Sequence, residues 1–237
     1  MLQRLTEVQE FDLAVDGLEA ERAQVPQELT DLAERVKSLE ARTSRKDLEV
    51  AELRRKVEAN EQELKAMSER RKSASDSALR AASAKEASQY QNQELQMAAR
   101  AQELEEDTLP LMQALEDASA EADALHAELD GLLPTLGEMQ QAEVERVAGL
   151  DARIVDTRKL RDALAVSVDA PLLKQYEQVR RSRKGLGVVQ IVDNAKCGGC
   201  NVKLPLHVVQ KVRSGAGITR CSNCGRILMT PPPAPAA

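Results

Sequence analysis

Residues 36–67 read VKSLEARTSRKDLEVAELRRKVEANEQELKAM. Val36, Leu39, Val50, Leu53, Val57, Leu64 and Met67 recur at steps of three, four, seven or eleven. Such steps keep side chains on one stripe of a helix and predict a coiled-coil seam. Upstream the stripe continues in phase through Val8, Phe11, Val15, Leu18, Val25, Leu29 and Leu32. Pro26 lies inside it, so a bend or brief interruption is expected there without loss of phase.

Downstream the seam lapses in RRKSASDSALRAASAKEASQYQNQ, residues 70–93, where Leu79 and Tyr90 are the large apolar residues among serines and alanines. A second stripe then runs Met97, Leu104, Leu111, Leu115, Ala118, Ala122, Leu125, Leu129, Leu132, Leu136 and Met139. It resumes one step out of phase at Val147, Leu150, Ile154, Leu164 and Val168, as a stutter would. Folding the chain back between 73 and 88 makes the two stripes face each other as an antiparallel coiled-coil hairpin over residues 1–168. A midpoint at 80 would place Pro26 opposite Pro134, so that both arms kink together, while Pro110 predicts a further kink. The competing architecture is a parallel dimer of one continuous helix, and the hairpin itself leaves room for a homodimer.

Composition agrees with a narrow seam. The 237 residues include one Phe, two Tyr and no Trp, while 30% are charged. An aromatic-lined pocket for a small-molecule substrate is therefore not expected. Thr43, Lys46, Asn60 and Arg71 on the seam read as register-setting or snorkelling residues, and His126 as an exposed helix-face histidine. No phosphate-loop glycine pattern or zinc-protease helix motif is present, and the chain has two histidines. An enzyme is not expected.

The four cysteines fall near the C-terminus as Cys197-Gly-Gly-Cys200 and Cys221-Ser-Asn-Cys224. Two thiolates two residues apart grip one ion from a tight turn, and two such turns complete a tetrahedral shell. One structural zinc is the first reading; rubredoxin-like iron and a redox dithiol pair are the alternatives. Gly198, Gly199 and Gly225 suit the turns. Short apolar stretches at 187–192, 218–221 and 226–229 predict strands, so residues 186–230 read as a small β-rich ribbon needing a metal staple. Residues 169–185 read as a connecting helix, opened by Asp169 and Pro171 and closed by Gly185. Residues 231–237, PPPAPAA, read as a disordered tail. With no leader pattern and no long apolar run, a cytoplasmic, reducing compartment and no membrane contact are expected.

PLLKQYEQVR, GLGVVQIV, CGGC followed by LP, and CSNCGRIL, within residues 171–229, resemble bacterial proteins in which a long coiled-coil hairpin carries a C-terminal four-cysteine zinc ribbon. ELEEDTLPLM at 103–112 is similar to that family's second arm, with Pro110 as a departure. The resemblance implies that Cys197, Cys200, Cys221 and Cys224 ligate zinc. Better-studied members of that family are linked to flagellar or type III secretion systems, where they bind an alternative sigma factor, other proteins, or RNA; the identity of the partner does not carry over to this chain.

Charge divides the same way. Residues 1–170 carry a net −15 and residues 171–237 a net +9, within a total of −6. The first functional expectation is a non-enzymatic adaptor or chaperone-like scaffold for protein partners. The alternative is RNA or DNA binding through phosphate contacts by Arg180, Arg181, Arg183, Lys184, Lys196, Lys203, Lys211, Arg213, Arg220 and Arg226. The ribbon lacks aromatic residues for base stacking, so such binding would be weakly selective.

Overall fold

The computed structural model describes residues 2–192, 195–215 and 217–230, so the tail at 231–237 lies outside the described residues. It is mainly α-helical: a long antiparallel helical hairpin followed by a small strand-containing ribbon. The elements run α1 (Leu2–Ala23), α2 (Gln27–Leu79), α3 (Ala84–Ala165), α4 (Ala170–Ser182), β1 (Val188–Val192), β2 (Lys196–Cys197), α5 (Leu206–Arg213), β3 (Thr219–Arg220) and β4 (Ile227–Met229). They form two compact units, a central one of Pro26–Gln140 and a terminal one of Met1–Val25 with Gln141–Ala237.

In the central unit α2 packs against the first part of α3. Leu29, Val36 and Leu136 form a buried cluster with Leu32, Leu129, Leu132 and Met139 beside it. The polar seam residues set register: the Asn60 amide donates to Thr108 Oγ1 at 3.0 Å, and the Lys46 ammonium lies 2.8 Å from Glu121. Thr108 in turn donates to the Leu104 carbonyl at 2.6 Å, satisfying itself inside the seam. Arg80–Ser83 makes the turn, and Ser83 and Glu86 cap the start of α3. The Glu86 amide donates to Ser83 Oγ, and Glu86 accepts from the Ala82 amide.

The expected pairing of Pro26 with Pro134 does not occur. Cross-arm pairs such as Arg35 with Glu128 and Asn60 with Thr108 put the reversal slightly later than residue 80. The prolines are therefore out of step by about one to two helical turns. Only Pro26 breaks its helix; α3 is helical through both Pro110 and Pro134.

In the terminal unit α1 packs on the last part of α3. Arg146 donates to the Glu21 and Gln24 carbonyls at 3.1 and 2.8 Å, covering the open end of α1. Further along, Leu5, Val8, Ala165, Val168, Leu172 and Tyr176 close over Val188 and Ile227 in one core. The four-stranded sheet has the order β2-β1-β4-β3, with β1 parallel to β4 and the other pairs antiparallel. Strand alternation divides its sides: Val188 and Ile227 face the helices, and Val189 and Leu228 join Leu204, Val209, Val212 and three of the cysteines.

Gln9, 7% exposed, fixes this docking. Its Nε2 donates to the Val188 carbonyl at 2.9 Å, and its Oε1 accepts from the Gly187 and Val188 amides at 2.8 and 2.7 Å. Gly187 has no room for a side chain, since a Cβ would lie 2.4 Å from the Tyr176 ring. Gly187→Ala is expected to destabilise the terminal unit by about 1–3 kcal/mol, read from chemical denaturation. Gly131→Ala, at an exposed helical position with open space, is expected to stabilise by about 0.5–1 kcal/mol.

Candidate metal centre

Two loops of matching geometry carry the cysteines. In the first, the Asn201 amide donates to the Cys197 carbonyl at 2.8 Å and the Cys197 amide to the Val202 carbonyl at 3.0 Å. In the second, the Gly225 amide donates to the Cys221 carbonyl at 2.9 Å and the Cys221 amide to the Arg226 carbonyl at 2.9 Å. Asn201 and Gly225 occupy equivalent left-handed positions, with φ of 58° and 75°. Gly198 and Gly199 serve differently from the turn role expected of them, by giving space. A Cβ at Gly198 would meet the Gln190 carbonyl oxygen at 2.7 Å, and one at Gly199 would meet Arg226 Cδ at 2.6 Å.

The four Sγ atoms converge within 4.8 Å of one another. Cys197 and Cys224 are 3.8 Å apart and Cys200 and Cys221 3.7 Å. A tetrahedral shell with zinc–sulfur bonds of about 2.3 Å has edges of about 3.8 Å, so the set fits one structural zinc ion. Burial pushes the Cys197 thiol up to about 12, whereas the Val202 amide, then the Asn223 side chain, pull Cys200 down to about 6. Thiolates are the ligating form, so metal uptake releases protons, and a cation shared by all four overrides these differences. Four thiolates complete the shell and leave no position for a reactive water.

Residues 8–184 match the CT398-like coiled coil hairpin domain. The chain belongs to the CT398-like coiled-coil hairpin family. In this CT398-like protein residues 196–228 also match a C4-type zinc ribbon domain. CT398 from Chlamydia trachomatis shares the fold at a TM-score of 0.83 and 19% identity, over 97% of both chains. A Mycobacterium smegmatis protein does so at 0.82 and 23%, over 96% of this chain and 97% of its own. The HP0958 protein of Helicobacter pylori gives 0.56 and 20%, over 97% and 96%. Two uncharacterized Mycobacterium tuberculosis proteins are each 27% identical over 128 residues, covering 53% of this chain and 51% of theirs. The chain thus spans about half the length of the curated relatives it matches. None of these relatives points to a catalytic family.

The basic residues of the CT398-like protein have divergent surroundings. Arg180 turns inward, its Nη2 donating to the Asp12 carbonyl at 3.2 Å and to the Asp16 carboxylate. Arg183 Nε donates to the Cys224 carbonyl at 2.8 Å, and Arg226 is 9% exposed with its guanidinium on three carbonyls. Arg220 reaches Gln175. Arg181, Lys184, Lys203, Lys211 and Arg213 are exposed, and half-buried Lys196 stands opposite Lys203 in a β-bridge.

Sequence reasoning missed a buried polar centre on α1. Asp12, 6% exposed, accepts from Tyr176 Oη at 2.7 Å and from Arg161 Nε at 3.1 Å; Arg180 Nε lies 3.6 Å away. Arg161 also donates to Glu177 at 2.9 Å. Burial, then the Asp12 carboxylate, hold the Tyr176 phenol protonated well above its ordinary range. No described helix is long and apolar enough to cross a membrane.

Proposed function

We propose that this protein is a non-catalytic, cytoplasmic adaptor whose hairpin contacts protein partners and whose ribbon is held by one zinc on Cys197, Cys200, Cys221 and Cys224. The observation carrying this reading is the closed four-sulfur site built into a sheet that shares its core with α1, α3 and α4. A metal so placed serves the fold, leaving the charged faces of the helices for contacts. On this reading the working parts are the hairpin of 1–168, the connecting helix of 169–185 and the ribbon of 186–230. Secretion or gene expression is the setting that the resemblance to hairpin–ribbon proteins supports.

The second reading, nucleic-acid binding, draws support from Lys196 and Lys203, like charges directly opposite each other, an arrangement that a bound anion would relieve. Full-length protein separates the two, because residues 171–237 alone would expose the Val188 and Ile227 face. Cross-linking of partners captured on the zinc-loaded chain is expected to fall on exposed α2 and α3 residues. RNA and duplex DNA should be lost near physiological salt. Retention with a steep salt slope, flattened by neutralising Arg181, Lys184, Lys203 and Lys211, would instead establish the phosphate-binding reading.

A further inference from the structure

Arg226 touches both cysteine loops through different groups. Its backbone carbonyl accepts from the Cys221 amide at 2.9 Å, in the second loop. Its side chain reaches the first, Nη1 donating to the Gly199 carbonyl at 3.2 Å. The same guanidinium donates through Nε to the Leu186 carbonyl at 2.9 Å and through Nη2 to the Arg183 carbonyl at 3.0 Å, both beyond the end of α4. Arg183 answers with its own side chain, Nε donating to the Cys224 carbonyl at 2.8 Å. Each loop is therefore tied by an arginine to the segment that follows α4. Gly199 is part of the fit: a Cβ there would lie 2.6 Å from Arg226 Cδ and 3.0 Å from its Nε.

A buried guanidinium requires compensation, which carbonyl acceptors alone supply incompletely. Four thiolates on one divalent zinc carry a net charge of about −2, a second source of compensation for a guanidinium held against the first cysteine loop. We propose that Arg226, assisted by Arg183, is a positioning residue for the metal: it holds the two cysteine loops at the separation of a single tetrahedral shell and offsets the shell's negative charge. This rests on zinc being the occupant of the four-cysteine site. It gives these two arginines a task distinct from contacting an external anion. Partners that bind around α4 and metal that binds between the loops would then be linked through the same side chains.

Full-length wild type, Arg226→Lys, Arg226→Gln, Arg183→Gln and Arg181→Gln test this by zinc competition against a chromogenic chelator and by visible absorption of the cobalt-loaded proteins. Arg226→Gln is expected to lower zinc affinity about 10–100-fold. It should also alter the ligand-field bands of bound cobalt, which a loss of stability alone would not change. Arg226→Lys keeps the charge without the fork and should restore part of the affinity. Arg183→Gln, at an exposed side chain with one loop contact, should lower affinity less while keeping wild-type helical content, so the test stands if Arg226→Gln does not fold. Arg181→Gln should match wild type. Wild-type affinity and cobalt spectrum in both Arg226→Gln and Arg183→Gln, or an equal loss in Arg181→Gln, would overturn the proposal. A wild-type chain that takes up neither zinc nor cobalt would overturn the metal reading beneath it.

Discussion

Removing zinc from the full-length protein is expected to unfold residues 186–230 and loosen α4, while α2 and the part of α3 packed on it stay helical. The strands have two to five residues each, too short to hold a sheet without the metal. Structural zinc contributes about 10–16 kcal/mol of apparent free energy in small zinc domains. Val188 and Ile227 also complete the core containing Leu172 and Tyr176, so loss of the sheet uncovers that face of α4. The central unit has its own cluster around Leu29, Val36 and Leu136 and does not depend on the metal. Hydrogen exchange before and after chelation reads this directly. Protection should collapse in 186–230 and fall in 170–182, with little change in 27–79. An undisturbed ribbon after complete metal removal would show that the sheet holds without it.

Asp12→Ala should be the most damaging single substitution away from the cysteines, costing about 3–5 kcal/mol. The carboxylate faces Arg161, Arg180 and the Tyr176 hydroxyl from the middle of α1, and its removal leaves partly buried cations facing one another. Arg161 retains Glu177 and Arg180 retains Asp16, which keeps the loss toward the lower part of that range. Tyr176→Phe, which removes one hydrogen bond to a charged acceptor, should cost about 1.5–3 kcal/mol. Urea denaturation followed by circular dichroism measures both. A cost for Asp12→Ala no larger than for an exposed helix charge such as Glu10→Ala would mean that the cluster contributes nothing to docking α1 against α3 and α4.

The heptad stripes carried most of the helical architecture in readable form. Stripe positions such as Val15, Leu18, Val36, Leu39, Leu104 and Leu150 are buried. Val25, 58% exposed, departs because it lies in the break before Pro26, where no helical face exists to bury it. Near the N-terminus two phases fit the spacing, one through Phe11 and one through Asp12. Apolarity favoured Phe11, yet Asp12 is the buried one, because cations on α3 and α4 meet it there. Local pattern carries no information about such distant partners. Gln9 was hidden for the same reason: its three hydrogen bonds go to Gly187 and Val188.

In the ribbon the CxxC spacing announced the metal site, but not the relation of its parts. The helix α5 was legible in principle, since Pro205 opens a segment in which Val209 and Val212 recur at helical spacing. The left-handed turn positions fall on Asn201 and Gly225, one residue after each second cysteine, while Gly198 and Gly199 answer to crowding by Gln190 and Arg226. The basic residues formed one class by composition; three-dimensional neighbours separate Arg180, Arg183, Arg220 and Arg226, which donate to the chain's own acceptors, from the exposed Arg181, Lys184, Lys203, Lys211 and Arg213.

X-ray absorption at the zinc edge, combined with elemental analysis of the full-length protein as isolated, tests the metal-held ribbon most directly. The expected result is one zinc per chain with four sulfur neighbours at about 2.3 Å and no nitrogen or oxygen ligand. Iron in place of zinc, or a shell of fewer than four sulfurs completed by water, would contradict it.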